Sequence, residues 1–281
     1  MHISVVVPFH NVEEYIADCI EALLAQRYPE HLYEIIMVDN NSTDRSPEIA
    51  SRYPRITLLS ESRVGAYAAR NRGVAKSEAA IVAFTDSDCV ARADWLERIA
   101  GAMTDPEVHL VQGGRRFGME SSALSVLSDY EAEKSAYIFS SDVREIYFGY
   151  TNNMAVRRSA FERVGGFMEL ARGADTIFVQ RVIAEYSCRA VQYRPDVVID
   201  HLEVKTAATW FHKMNTYGRS SRRYSTIVPT RPLNAGERLR IWRGTIRNRR
   251  YSVMRSTFLL VLLAVGVVCF EVGRLSPVPH R

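Results

Sequence analysis

Four apolar runs recur within the first 90 residues: "ISVVVPF", bounded by Pro8, "YEIIMVD", ending on Asp39, "RITLLS", and "AAIVAFTDSD", ending on Asp86 and Asp88. Between them lie segments of helical pattern. Val12, Tyr15, Ile16, Cys19, Ile20, Leu23 and Leu24 keep a 3.6-residue period, with Asn11 placed to cap the helix and "RYPE" to stop it at Pro29. "NNSTDRSPEIASRY" supplies turn residues, a cap at Ser46 and Pro47 at the first helical position, and "GAYAARNRGVAKS" is a further helix. Strands that alternate with helices in this way predict a parallel α/β sheet, in which ligands collect at the carboxyl ends of the strands. The acids lie at those ends.

Past "PEVHLVQGG" the alternation breaks down. Helix-like stretches (123–144, 176–186, 206–224) surround short strands at "YTNNMAVRR", "RAVQY" and "DVVIDH", and Gly113–Gly114 reads as a loop. This half, 113–210, is expected to extend the sheet in mixed fashion and to share one globular core with residues 1–112.

The net charge of +4 hides an asymmetry. Phe211 to Arg255 holds 12 Lys+Arg against one acid, Glu237, a local +11, so the remaining residues carry 4 − 11 = −7. Residues 211–255 therefore form a separate basic segment. Directly after it, Ser256 to Phe270 contains 15 residues without a charge, or 18 to Gly273 if Glu271 is included. At about 1.5 Å per residue these reach roughly 22 to 27 Å against a hydrocarbon core of about 30 Å. Residues 256–273 are thus expected to cross a membrane thinly or to lie in its plane. A basic row beside an apolar helix favours an anionic lipid surface over nucleic acid as the partner.

Cys19, Cys89, Cys188 and Cys269 have no CxxC or CxxH spacing, which argues against structural zinc and fits a reducing compartment. His2 leads straight into "ISVVVP" without a basic leader or cleavage site, so the N-terminus is expected to stay cytosolic.

In an extended segment Asp86 and Asp88 would face one ligand together while Ser87 turns away. Two such charges about 4 Å apart repel by roughly 4 kcal/mol at an effective dielectric near 20, equivalent to about three pKa units. Either one carboxylate keeps its proton or a cation sits between them, and oxygen-rich sites suit Mg²⁺ or Mn²⁺ together with substrate phosphates. An Asx-type turn at a strand end would use the same residues without any metal.

"ISVVVPFHNVEEYI…LLAQRYP", "IIMVDNNSTD", "GAYAARNRG", "AFTDSDC", "NNMAVRRSAFERVGGF", "GADTIF" and "PDVVIDH" follow one another from Ile3 to His201. In this order they resemble the inverting family 2 glycosyltransferases of the GT-A fold. The resemblance implies a Rossmann-like, mostly parallel sheet with a mixed extension, followed here by basic and apolar membrane-associating helices. Residues 1–112 would bind a nucleotide-sugar donor and 113–210 an acceptor, either a glycan or a lipid-linked molecule. The implied roles fall residue by residue: Pro8, Phe9 and Glu13 in the first nucleotide loop, Asp39 on the base or ribose, Arg70 near the nucleotide. Asp86 and Ser87 would touch the donor, Asp86, Asp88 and His201 would hold Mn²⁺ or Mg²⁺, and Asp175 would be the catalytic base. Asp175 could equally be a helix N-cap.

The chain departs from the family pattern at three places. Ala174 stands where Glu is usual, Asn40 and Asn41 replace the Asp and Gly of "VDDGSTD", and "YGRSSRRY" only loosely matches the Q-x-x-R-W element of processive synthases. The expectation is a non-processive transferase, membrane-associated with its catalytic domain in the cytoplasm. Two rivals remain: a sugar-nucleotide pyrophosphorylase, whose glycine-rich first loop is missing after Val7, and a catalytically silent membrane scaffold.

Overall fold

The computed structural model describes residues 1–117 and 121–276. Two compact units interleave in sequence. The first comprises Met1–Arg115 and Phe148–Leu202, the second Arg116–Tyr147 and Glu203–Arg281. A linear division at 112 and 210 does not follow these units, because residues 116–147 join the C-terminal helices.

The first unit is built on a sheet of order β3-β2-β1-β4-β7-β6-β8-β5. Its strands are β1 (Ile3–Phe9), β2 (Tyr33–Asp39), β3 (Ile56–Ser60), β4 (Ile81–Thr85), β5 (Cys89–Ala91), β6 (Leu110–Phe117), β7 (Asn153–Arg157) and β8 (Val191–His201). β1 pairs in parallel with β2 and β4, and β2 with β3, whereas β7 runs antiparallel to β4 and β6, and β5 antiparallel to β8. Every residue of β1 is buried, as a central parallel strand covered on both faces requires.

Alternation along the strands divides the core in two. Val5, Val7, Ile35 and Ala83 pack with α1 (Ile16–Leu24) and α4 (Trp95–Ala102) on one face. On the other, α3 (Ala66–Lys76) approaches so closely that a Cβ on Gly73 would lie 2.4 Å from Val6 Cγ1. Phe84 of β4 meets Phe161 and Phe167 there, with ring centroids 6.2 and 5.2 Å away. α6 (Arg158–Val164) carries Phe161, and α7 (Ala174–Glu185) adds Phe178 at 4.8 Å from Phe167.

Several local expectations are corrected. Asn11 does not cap α1, which starts only at Ile16 behind Tyr15. Asn11 has φ 50° and accepts instead from the Thr43 and Asp44 amides. Ser46 and Pro47 are the first two residues of α2 (Ser46–Ser51), and Ser46 Oγ donates to Asp44 at 2.6 Å. Gly113 and Gly114 lie inside β6: a Cβ at the first would strike the Asn153 side chain at 2.2 Å, and at the second the Pro195 carbonyl at 2.8 Å. The last three residues of "RAVQY", from Val191, run through Pro195 into "DVVIDH" as the single strand β8, while Arg189 and Ala190 belong to a 3-10 turn before it.

The second unit is helical: α5 (Ser122–Phe139), α8 (Ala207–Tyr224), α9 (Ala235–Arg249) and α10 (Val253–Leu275). Leu124, Leu127, Trp210, Ile241, Leu259 and Leu262 form its core. α9 opens with a capping box in which Asn234 and Glu237 bond each other's backbone amides. α10 extends beyond the expected 256–273 at both ends; its 23 residues span about 34 Å, long and apolar enough to cross a membrane.

Candidate active site

The carboxyl ends of β2 and β4 deliver the acids, as a parallel sheet dictates. Asp39 closes β2 opposite Phe9 of β1 and accepts the Ser42 amide at 3.0 Å. The loop after it depends on two asparagines. Asn40 donates to the Glu61 and Arg63 carbonyls at 2.8 Å each and accepts the Gly65 amide at 2.7 Å, tying this loop to the one leading into α3. Asn41, at φ 64°, holds the left-handed position where the family pattern has glycine, a conformation asparagine tolerates better than most residues.

Asp86 and Asp88 do not sit in an extended segment. β4 ends at Thr85, Ser87 and Asp88 form a turn, and the Cys89 amide returns to the Asp86 carbonyl at 3.1 Å. The turn gives each carboxylate its own partner. Asp86 is paired with the Arg70 guanidinium of α3, which is 4% exposed. Arg70 Nε is buried without an acceptor among the described residues. Asp88 Oδ2 lies 3.6 Å from His201 Nδ1. The β5–β8 pair enforces that approach, with Cys89 opposite His201 and the Leu202 amide on the Asp88 carbonyl at 2.9 Å.

Asp88, Cys89 and His201 offer ligand atoms within 4.8 Å of one another. Adjacent ligands of an octahedral ion at about 2.1 Å stand roughly 3 Å apart, so the carboxylate and imidazole fit a divalent ion after a shift of a few tenths of an ångström. Burial, followed by the Asp88 and Asp86 charges, pushes the Cys89 thiol well up, which keeps it protonated and makes it the poorest of the three donors.

Asp175 occupies the first turn of α7, whose N-cap is Gly173, and its Oδ1 accepts the Thr176 amide at 2.8 Å. As a whole the residue is half-buried, but desolvation of its carboxyl raises the pKa to about 6 against the opposing effects of the Thr176 amide, Arg70 and the Tyr67 hydroxyl. Gly149 packs beneath it, where a Cβ would meet the Asp175 carbonyl oxygen at 2.4 Å. Ala174 is fully buried and contributes packing without charge where the family pattern has Glu.

Asp86, Arg70 and Asp175 are therefore one electrostatic neighbourhood, with Tyr67 joining it unforeseen. Tyr67 lies three residues before Arg70, on the same face of α3, and its ring is 5.5 Å from the Arg70 guanidinium; that i, i+3 spacing was the available signal. Ser87 is buried. Phe9 is 2% exposed within the core, so what it can offer a ligand is backbone. Pro8 is likewise buried, and Glu13 is exposed and engages Arg45 at 3.2 Å.

The sheet order, the acids at the ends of its parallel strands and the antiparallel extension define a GT-A-type α/β fold. Residues 4–165 match the profile of glycosyl transferase family 2, and the chain belongs to that family. Glycosyltransferase AglE of Haloferax volcanii is 32% identical over 185 residues, covering 64% of this chain and 60% of that protein. Glycosyltransferase GlyG of Streptococcus pneumoniae is 33% identical over 116 residues, 40% of this chain and 38% of its own length. The chain thus spans less than two thirds of these relatives. Among solved structures, the mannosyltransferase PcManGT from Pyrobaculum calidifontis, in complex with GDP-Man and Mn²⁺, superposes with a TM-score of 0.63 at 19% identity, covering 99% of this chain and 76% of that one. S. aureus TarS, also solved with UDP-GlcNAc, has a TM-score of 0.55, 17% identity and coverage of 96% and 82%.

Proposed function

We propose that the chain is a metal-dependent, inverting glycosyltransferase that moves a sugar from a nucleotide-sugar donor to a hydroxyl of a glycan or lipid-linked acceptor at the cytoplasmic face of a membrane. The reading rests chiefly on Asp175, a desolvated carboxyl beside Arg70 and Asp86 at the ligand-binding end of the sheet. With its pKa raised to about 6, Asp175 is a stronger base than an ordinary carboxylate and still ionised at neutral pH, so it can take the proton of an attacking hydroxyl. Tyr67 orients it. Asp39 meets the nucleoside, and Arg70, paired with Asp86, adds positive charge beside the donor phosphates. Asp88 and His201 would hold Mn²⁺ or Mg²⁺, with Asp86 close by. When bound, such an ion offsets the charge that develops on the departing nucleoside diphosphate. Two solved neighbours carry GDP-Man with Mn²⁺ and UDP-GlcNAc, which supports a nucleotide-sugar donor here. The anchoring partner would be an anionic membrane surface, met by the basic segment 211–255 and α10.

Calorimetric titration of the full chain with UDP, GDP and TDP, with and without Mn²⁺, tests the reading. Micromolar, metal-dependent binding of one of them is expected. A silent scaffold would show no metal-dependent binding, and a pyrophosphorylase would release nucleoside triphosphate when given pyrophosphate and a nucleotide sugar.

A further inference from the structure

α10 carries an apolar flank that the described residues of its unit leave uncovered. Phe258, Leu260, Val261, Val265, Val268 and Val272 are between 40% and 61% exposed, and no charge interrupts the helix from Ser256 to Phe270. The opposite flank is attached to protein along the helix. Leu259 and Leu262 share a core with Leu124 and Leu127 of α5. Further on, α10 runs parallel to α8 at backbone contact. A Cβ on Gly266 would fall 2.7 Å from the Trp210 ring, one on Gly273 2.0 Å from the Asn215 carbonyl oxygen, and one on Gly218 2.0 Å from the Phe270 carbonyl oxygen. Asn215 Nδ2 also donates to the Cys269 carbonyl at 3.2 Å.

We propose that α10 lies in the plane of the bilayer interface as a monotopic anchor, with its exposed flank in lipid and its other flank on α5 and α8, and does not cross the membrane. This deepens the membrane-association part of the reading above and rests on it. A crossing helix would either take α8 with it, bringing Lys213, Arg219, Arg222 and Arg223 to hydrocarbon depth where charged groups are strongly disfavoured, or abandon the three glycine contacts. An in-plane helix keeps both. It needs only one apolar flank, sunk about 5–10 Å below the headgroups. The 12 basic residues against one acid between Phe211 and Arg255 point to anionic lipid as the occupant. A second copy of this chain on the same flank would bring two such segments together.

Nitroxide labels at Phe258→Cys, Val265→Cys and Val272→Cys, in the full chain with Cys188→Ala and Cys269→Ala, test this on vesicles of phosphatidylcholine and phosphatidylglycerol. Power saturation against oxygen and a nickel chelate reads their depths. The three depths should agree within about 5 Å, and vesicle binding should weaken about tenfold in pure phosphatidylcholine. Depths spread over about 20 Å, the length of the 14 residues between the outer labels, would overturn the proposal in favour of a spanning helix. Spin–spin broadening in a vesicle-free dimer would overturn it in favour of self-association, and absence of vesicle binding would also overturn it. Nucleoside diphosphate binding by the same variants in detergent is read separately: its loss beside uniform depths would strike the transferase reading and leave the anchor standing.

Discussion

The Tyr67 hydroxyl stands close enough to the Asp175 carboxyl to favour its ionised form, so the residue proposed as base feels a side chain of α3, the helix that also supplies Arg70 to Asp86. A hydrogen bond to the ionised form favours that form. Tyr67→Phe should therefore move the acid limb of the pH–rate profile upward from about 6, by about one pH unit for a bond to a charged group. Donor KM should change less than about threefold. An unmoved acid limb would remove Tyr67 from the site.

Asp175→Asn should leave metal-dependent donor binding intact and lower kcat by about 10² to 10⁴. It should also change stability with a definite sign. Asp175 has its folded pKa raised to about 6 from the ordinary carboxylate value of 3.8, so its favourable contribution is fully present below about 3.8 and is lost as pH rises through 6, on the order of 2 to 3 kcal/mol. The Asn variant should therefore gain stability over the parent at pH 8 and little at pH 4, measured by urea denaturation at both. Full transfer activity in this variant would overturn the base assignment.

Asp88→Asn and His201→Ala should each weaken Mn²⁺-dependent nucleoside diphosphate binding by tenfold or more, while binding measured with chelator present stays as in the parent. Titration calorimetry reads both. Equal losses with and without metal would mean that the pair serves the fold alone.

Asn153 is a buried node: it accepts from Trp95 Nε1 at 2.9 Å and donates to the Gly114 and Val197 carbonyls at 2.7 and 2.8 Å. Asn153→Ala strands all three partners, at about 1 kcal/mol or more each. A loss of roughly 3 kcal/mol in urea denaturation is expected, and a loss under about 1 kcal/mol would show that water replaces the amide.

The parallel half of the sheet was legible in the sequence because central strands must be apolar on both faces, and its acids were legible because chain ends of such strands meet solvent. Pairings made across the chain were not. Gly113 and Gly114 look like a loop until Asn153 and Pro195 are known to press against them, and Pro195 looks like a strand break until Gly114 makes room for its carbonyl. The D-x-D turn misled for a related reason: extended geometry predicts one shared ligand, whereas Arg70 and His201, reached through α3 and β8, give the two carboxylates separate partners. Seven motifs in order carried the family resemblance; their distances from one another were beyond a linear reading.

The family match ends at residue 165, yet Asp175 and His201 arrive later, the second of them on β8, whose antiparallel pairing with β5 sets Cys89 opposite His201. A chain cut after residue 165 would keep both acids of the D-x-D turn and lose these two later residues, so on the reading proposed above it would lack the imidazole for the metal together with the base.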